Sequence, residues 1–314
     1  MQVLFLIDAM AKGNYAVRAL NLSKRFGSVE ALRDISFGLE RNELLVLIGS
    51  NGAGKSTLLK TAAGLYRPSR GSIEVLGDDA YSHNPDVLRR ISFLGENYAL
   101  YDNLTVKDNL RFFSRMYGIE AGKSDGIYME LLAKLRATEY LNRKVSQLSR
   151  GTKQKVAICR ALINTPEVLF LDEPTAFLDA DSSFEIQDLL SERSSEGVAI
   201  IYATQRLEEI NSIGTRFAVM SSGRLQYFRS KEEIMMKLGN VELEIELLAP
   251  PGSKLIGALT KELGKSFRMG GRRNIITVSG VGLHDIPNIT ELVIAKGGKV
   301  IGVDYLKKAL LEVK

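Results

Sequence analysis

The strongest constraint on the fold is a glycine-rich segment that links a short apolar run to a helix-like stretch. Residues 49–57 spell GSNGAGKST and match the pattern G-x-x-x-x-G-K-[ST]. The preceding run, LLVLIG at 44–49, is too short for a helix and rich in branched residues, which predicts a buried strand. The following stretch, GKSTLLKTAAGL, predicts a helix. This order of strand, loop and helix predicts a layered α/β fold that binds a nucleotide phosphate.

Two further apolar runs support a parallel sheet. VLFLDE at 168–173 and GVAIIYAT at 197–204 are both short and apolar, and helix-like stretches lie between the runs. Alternation of buried strands with helices is typical of a parallel sheet covered on both faces. The sequence therefore predicts an α/β fold with a mostly parallel central sheet.

Each residue type in the glycine-rich segment has a chemical reason to be there. Glycines let backbone N–H groups turn towards phosphate oxygens, and the amino end of the next helix adds a positive dipole. Lys55 can reach the β- and γ-phosphates, and the Ser56 hydroxyl can bind Mg²⁺. An ordinary glycine-rich turn is the alternative. The predicted phosphate-contacting residues are Gly49, Ser50, Asn51, Gly52, Ala53, Gly54, Lys55, Ser56 and Thr57.

A phosphate-bound Mg²⁺ and an attacking water both need acidic partners, and the run VLFLDEP supplies two. Asp172 ends the apolar run and is predicted to hold the magnesium shell. Glu173 is predicted to act as the general base on the water. A strand that ends in a solvated acidic turn is the alternative explanation.

A second motif, LSRGTKQ at 148–154, leads into the helix-like KVAICRAL. Alone, Ser149 would be a plain helix N-cap. Together with the phosphate loop, a helical insert, the DEP strand end and Asp179, it resembles the ATPase subunit of an ABC (ATP-binding cassette) transporter. The resemblance covers roughly residues 15–235. The form S-x-G-x-KQ, with Arg150 and Thr152 where the family often has Gly and Gln, is similar to that of exporters.

The resemblance implies a P-loop NTPase fold with an antiparallel β portion at the N-terminal side and a helical subdomain. It also implies a head-to-tail dimer with a second ATPase subunit, in which Ser149 and Gly151 contact the ATP held by the partner. Asp179 matches the loop that links the two sites. Phe26 falls where the family stacks an aromatic ring on adenine, although such a residue is more often a core aromatic.

Two positions depart from the family pattern. Glu96, in ISFLGEN, stands where the family places a magnesium-contacting glutamine, and a carboxylate remains a suitable oxygen ligand. A solvated loop residue is the alternative explanation for Glu96. Gln205, in IIYATQ, stands where a histidine usually contacts the γ-phosphate. The only histidines, His83 and His284, cannot be aligned to that place. Because glutamine carries no proton or positive charge, we hypothesise slow hydrolysis or pairing with a fully equipped subunit.

Composition excludes several other classes of protein. The longest stretches free of Asp, Glu, Lys and Arg have 11 residues, whereas a membrane span needs about 20 apolar ones. We therefore expect a separate membrane permease as partner and a location in the cytoplasm, peripheral on the inner face of the membrane. The 42 basic and 37 acidic residues are spread thinly, so no nucleic-acid partner is expected. Cys159 can form no internal disulfide and is predicted to be a buried hydrophobe.

The predicted domains are a leader at 1–14, an ABC ATPase domain at 15–240 with a helical subdomain at about 97–150, and a small α+β domain at 241–314. The predicted function is ATP hydrolysis that powers a permease, in the export direction. Two alternatives stay open: a low-turnover regulatory ATP-binding subunit of a heterodimer, and a soluble ABC ATPase without a transport role. For the C-terminal domain, dimer contacts, regulation and simple packing are all candidates.

Overall fold

A computed structural model describes residues 15–176, 178–206, 209, 212–228, 241–270, 273–282 and 285–304. The chain divides into two compact units, residues 1–229 and 230–314. The predicted leader at 1–14 and residues 229–240, where the predicted domain boundary falls, lie outside the described residues.

The first unit contains ten strands and six α-helices among the described residues. The strands are β1 (Tyr15–Phe26), β2 (Val29–Glu40), β3 (Leu44–Ile48), β4 (Arg70–Val75), β5 (Asp78–Asp79), β6 (Ile91–Leu94), β7 (Val168–Asp172), β8 (Ala199–Thr204), β9 (Arg216–Ser221) and β10 (Arg224–Phe228). The helices are α1 (Lys55–Ala62), α2 (Pro85–Leu88), α3 (Val106–Met116), α4 (Ala121–Lys134), α5 (Arg150–Leu162) and α6 (Ala180–Ser195). Short 3-10 helices cover Ala80–Ser82, Thr138–Tyr140 and Val145–Gln147.

The central sheet has six strands in the order β10-β9-β3-β8-β7-β6. All of its pairs are parallel except the β9–β10 hairpin. Every residue of β3, β7 and β8 is buried, as the three apolar runs predicted. The mostly parallel α/β architecture is therefore confirmed, and it brings the ends of β3, β7 and β8 to one edge.

A second sheet, with the order β2-β1-β4-β5, is antiparallel throughout. This is the antiparallel β portion that the resemblance implied at the N-terminal side. Its inward-facing side chains, such as Val17, Phe37 and Ile73, join one core cluster with α1 and the central sheet. The packing of α1 between the two sheets fixes the position of the glycine-rich loop that precedes it.

Between β6 and β7 the described chain is helical, which agrees with the change of sequence pattern after residue 97. Helices α3 and α4 form here, with Thr105 as the N-cap of α3 accepting a hydrogen bond from the Asp108 N–H. Helix α5 follows, and Cys159 is buried within it, as predicted.

The second unit contains β11 (Val241–Leu247), α7 (Ser253–Leu263), a 3-10 helix (Gly264–Ser266), β12 (Phe267–Met269), β13 (Ile275–Val281), α8 (Ile286–Ala295) and β14 (Val300–Asp304). Its antiparallel sheet has the order β12-β13-β11-β14. This β-α-β-β-α-β arrangement is ferredoxin-like. The sequence predicts strands at VELEIEL (241–247), NIITVSG (274–280) and KVIGVDY (299–305) and a helix at SKLIGALTKELG (253–264), and β11, β13, β14 and α7 match these predictions. Strand β12 and helix α8 are not among the predicted elements. A further helix, predicted at YLKKALLEV (305–313), lies outside the described residues.

Candidate functional site

A cleft of about 570 Å³ opens at the carboxyl edge of the central sheet. It is lined by most of the glycine-rich loop together with the two acidic residues that follow β7 and with Glu96. The lining residues are Val29, Glu30, Ala31, Arg33, Ser50, Asn51, Gly52, Gly54, Lys55, Ser56, Thr57, Glu96, Asp172, Glu173, Ser222 and Gly223. The predicted phosphate loop and predicted acidic partners thus meet in one place.

The loop owes its path to backbone conformations that side chains disfavour. Gly54 has a φ of 110° and is the N-cap of α1. A Cβ on it would lie 2.6 Å from the Ala31 carbonyl oxygen, so the position excludes any other residue. Because α1 begins at Lys55, its free N–H groups and its positive dipole end face the cleft. This is the arrangement that binds phosphate at a helix amino end.

Lys55 lies at the bottom of the cleft and is only 5% exposed. Its Nζ donates hydrogen bonds to the carbonyl oxygens of Gly49 at 2.7 Å and Ser50 at 3.4 Å. The same ammonium lies 3.5 Å from Oε1 of Glu173. The buried cation is thus satisfied by its own loop and by the predicted general base.

Asp172, at the end of β7, is 2% exposed, and neither carboxylate oxygen accepts a hydrogen bond of regular geometry. Burial raises its pKa, the Ser56 hydroxyl opposes that rise, and the charge of Glu96 adds to it. Buried, unsatisfied carboxylate oxygens beside a hydroxyl are a donor set that suits Mg²⁺.

A cation here would need further ligands. Within the described part of the chain, no three acidic, histidine or cysteine side chains converge as a preformed metal site. Asp172 and Ser56 would therefore share the cation with phosphate oxygens, and Glu96 is a further carboxylate that lines the cleft.

Glu173 is placed by the turn that follows β7. Its φ is 51°, in the left-handed region, and its N–H donates to the Ala203 carbonyl oxygen at 2.9 Å. Burial raises the pKa of its carboxyl group, and Lys55 opposes that rise. Oε2 accepts a hydrogen bond from the backbone N–H of Gln205 at 3.4 Å. The predicted base and the residue that replaces histidine are therefore adjacent, although Gln205 does not line the cleft.

The residues of the second motif lie apart from this cleft. Ser149 is exposed and is the N-cap of α5, accepting a hydrogen bond from the Thr152 N–H at 3.1 Å. Gly151 is in the first turn of that helix. Asp179 is the N-cap of α6 and accepts from the Ser182 N–H, which lowers the pKa of its carboxyl group. Neither Ser149, Gly151 nor Asp179 is placed to touch a phosphate held by the loop of the same chain.

The predicted adenine-stacking residue is accessible but lies outside the cleft lining. Phe26 ends β1, is 44% exposed, and contacts Tyr66 edge to face with ring centroids 5.3 Å apart. The Lys24 ammonium lies 4.9 Å from the centre of its ring. The ring is therefore not a core aromatic, and the stacking role stays a prediction.

A buried polar network next to the site was not predicted. Glu209 is 2% exposed, and one carboxylate oxygen accepts a hydrogen bond from the Thr175 hydroxyl. That hydroxyl also bonds to Tyr202 at 2.9 Å, and Arg206 reaches the Thr175 carbonyl oxygen at 3.3 Å. The network joins the segment that carries Glu173 to the one that carries Gln205. In the sequence, Glu209 belongs to the acidic pair LEEI, which is typical of a solvated surface.

Comparison with known proteins decides the family. A family model described as ABC transporter matches residues 32–176. The ABC transporter ATP-binding protein NatA of Bacillus subtilis is 35% identical over 207 residues, which cover 66% of this chain and 84% of that protein. This chain belongs to the ABC transporter ATP-binding proteins.

Other relatives agree with that membership. The trehalose/maltose import ATP-binding protein MalK of Thermococcus litoralis is 34% identical over 253 residues, covering 78% of this ABC protein and 68% of that one. A solved dimeric ATP-binding cassette in a post-hydrolysis state, bound to ADP and Pi, matches with a TM-score of 0.62 and 26% identity, covering 68% of this chain and 98% of the other. The P-loop NTPase cassette fold is confirmed. Among the described helices of this ABC protein, none combines the length and apolar character of a bilayer span.

Proposed function

We propose that this chain is the ATP-binding and ATP-hydrolysing subunit of an ABC transporter. The observation that carries the proposal is the meeting of Lys55, Asp172 and Glu173 in one cleft with the glycine-rich loop. A buried ammonium for the phosphates, an unsatisfied carboxylate for a cation and a second carboxylate for a water are the three groups that phosphoryl transfer to water requires.

The contacts suggest a separate role for each group in the cleft. The β- and γ-phosphates of ATP draw Lys55 from Glu173, and the loop N–H groups hold the remaining oxygens. Asp172, Ser56 and Glu96 would hold Mg²⁺, and the ion would supply positive charge next to the phosphate oxygens. Glu173, released from Lys55 but still held by the Gln205 N–H, orients the water and takes its proton.

A second subunit completes the proposed site. Ser149 and Gly151 do not line the cleft of their own chain, and a head-to-tail dimer would bring those of the partner to the phosphates. The dimeric cassette bound to ADP and Pi supports such an assembly. The partner is either a second copy of this chain or a different, fully equipped ATPase subunit.

The proposed membrane partner is a separate permease, which would hold the subunit at the cytoplasmic face of the membrane. Residues 96–110 form the proposed docking segment. Export is proposed from the S-x-G-x-KQ form of the second motif, whereas several named relatives are import proteins, MalK among them. The C-terminal unit is proposed to serve in dimer contacts or regulation.

Two experiments test these proposals. Steady-state ATPase assays of the purified chain, with Mg²⁺ and with a chelator, test hydrolysis; ATP binding without Mg²⁺-dependent turnover would favour the low-turnover regulatory subunit. Co-purification from membranes tests the partners: recovery of an integral membrane protein and one or two kinds of ATPase subunit is expected. Recovery of the chain only in the soluble fraction, without a membrane protein, would favour the ABC ATPase without a transport role.

A further inference from the structure

The cleft that contains Lys55, Asp172 and Glu173 is called the nucleotide cleft below. A second, smaller pocket lies at the opposite edge of the central sheet. It has a volume of about 190 Å³ and is lined by three arginines, Arg18, Arg41 and Arg90, together with Glu74. Arg41 precedes β3 and Arg90 precedes β6, so both mark the amino ends of parallel strands whose carboxyl ends face the cleft. We name it the arginine pocket.

The charges in the arginine pocket are only partly neutralised. Arg41 and Arg90 both donate to one carboxylate, that of Glu167, and the two guanidinium groups hold its pKa well below the usual range. Arg18 faces Glu74 at 3.7 Å, which is too long for a hydrogen bond. Among the residues that line the pocket, three guanidinium groups therefore face one carboxylate, that of Glu74, while Glu167, Asp78 and Asp86 attract Arg90 from outside the lining.

Arg18 also carries an unsatisfied donor. Its Nε is buried and has no hydrogen-bond partner among the described residues. Because that atom is closed to solvent, an oxyanion in the pocket would accept from the accessible part of the guanidinium group, in a side chain that is 27% exposed, and its charge would offset the cost of the unpartnered donor. Guanidinium groups are the side chains best suited to phosphate because their donors form a planar fork. The Tyr15 side chain lines the same pocket.

We propose that the arginine pocket binds a phosphate-class oxyanion, with Arg18 as its principal ligand and Glu74 as an internal competitor. At about 30 Å³ per water, the volume corresponds to about six waters, which is room for a phosphate ion or a small phosphate monoester but not for a nucleoside triphosphate. The bound anion would bridge β1 of the antiparallel sheet to the amino ends of β3 and β6. This proposal does not depend on ATP hydrolysis.

The test is isothermal titration of the full chain with inorganic phosphate, in a Lys55→Ala background that weakens binding at the nucleotide cleft. Binding should persist in Lys55→Ala. Adding Arg18→Gln should weaken it tenfold or more, because charge-assisted hydrogen bonds are lost. Adding Glu74→Gln should instead tighten it about threefold or more, because the competing carboxylate becomes neutral. A general loss of folding would weaken phosphate binding in both variants, so it would not change the affinity in opposite directions.

Thermal melting of each variant provides the folding control. Arg18→Lys, which keeps the positive charge but not the planar fork of donors, should bind phosphate with intermediate affinity. Titration with glycerol phosphate shows whether the ligand is free phosphate or a phosphate monoester. Tighter binding than that of inorganic phosphate would identify a monoester as the ligand, and weaker binding would identify the free ion. The proposal would be overturned if Lys55→Ala bound no phosphate. It would also be overturned if adding Arg18→Gln to Lys55→Ala left the affinity for phosphate unchanged.

Discussion

The contact between Lys55 and Glu173 predicts that a single neutral substitution increases ATP affinity while it stops turnover. In the structure the Lys55 ammonium is shared between two loop carbonyl oxygens and the Glu173 carboxylate. The phosphates of ATP must compete with that carboxylate for the ammonium. Glu173→Gln removes the competing charge, keeps the size of the side chain and leaves the loop carbonyl oxygens in place.

The size of the effect follows from the geometry. The two atoms are 3.5 Å apart, and the side chains are only 6% and 16% exposed. At an effective dielectric constant of about 20, their attraction is about 4.7 kcal/mol. If about a third of this opposes ATP, since the glutamine amide retains a dipole and water enters the cleft, the gain is about 1.5 kcal/mol, or roughly tenfold in Kd. Loss of a general base should lower kcat by about 10² or more.

The assay pairs equilibrium binding of a fluorescent ATP analogue with steady-state hydrolysis. Glu30→Gln is the matched control, because Glu30 lines the same cleft but pairs with Arg33 rather than Lys55. A general change of cleft charge would tighten ATP binding equally in both variants, whereas release of Lys55 predicts a larger gain for Glu173→Gln. Equal gains, or unimpaired turnover in Glu173→Gln, would refute the reasoning.

Four further predictions follow from the same contacts. Gln205→His should raise kcat in ATPase assays by supplying a protonatable contact to the γ-phosphate. An unchanged or lower kcat would reject the hypothesis that the absence of histidine at this position slows hydrolysis. Because burial raises the pKa of Glu173 and the base must be deprotonated, kcat should rise with pH through a pKa above the ordinary value of a glutamate. An acid limb at or below that ordinary value would exclude Glu173 as the base. Glu209→Ala should lower the free energy of unfolding by about 2 kcal/mol, whereas Glu209→Gln, which keeps an acceptor, should lie within about 1 kcal/mol of the parent in urea titrations. Gly71→Ala, whose Cβ would lie 2.3 Å from a carbonyl oxygen of β1, should cost about 3 kcal/mol or more, against about 1 kcal/mol for Gly118→Ala, which has a similar φ but open space; equal costs would contradict this account.

The nucleotide cleft was predictable because each of its motifs carries local geometry. The glycine-rich loop specifies a strand before it and a helix after it, and Asp172 ends a run that can only be a buried strand. Parallel strands bring their carboxyl ends to one edge, so Lys55 and Asp172 meet although 117 positions separate them.

Other features depend on contacts that no local pattern shows. The pairing of Lys55 with Glu173 depends on a left-handed backbone at a glutamate, which residue type alone does not predict. The burial of Glu209 depends on Thr175, which is 34 positions away in sequence and whose hydroxyl also bonds to Tyr202. Helix α8 was missed because Pro287 and closely spaced apolar residues obscure its periodicity.

Glutamine in place of histidine at position 205 changes the side chain but not the backbone N–H. Glu173 Oε2 accepts its hydrogen bond from the backbone N–H of Gln205, and that donor is present whatever side chain the position carries. We therefore expect glutamine at this position to leave the proposed general base in place and to change only the side chain that would face the γ-phosphate. A loss confined to that group should slow the chemical step and leave ATP binding by Lys55 and the loop unaffected. Slow turnover with normal affinity is thus the signature that separates a departure at Gln205 from a site that has lost its nucleotide.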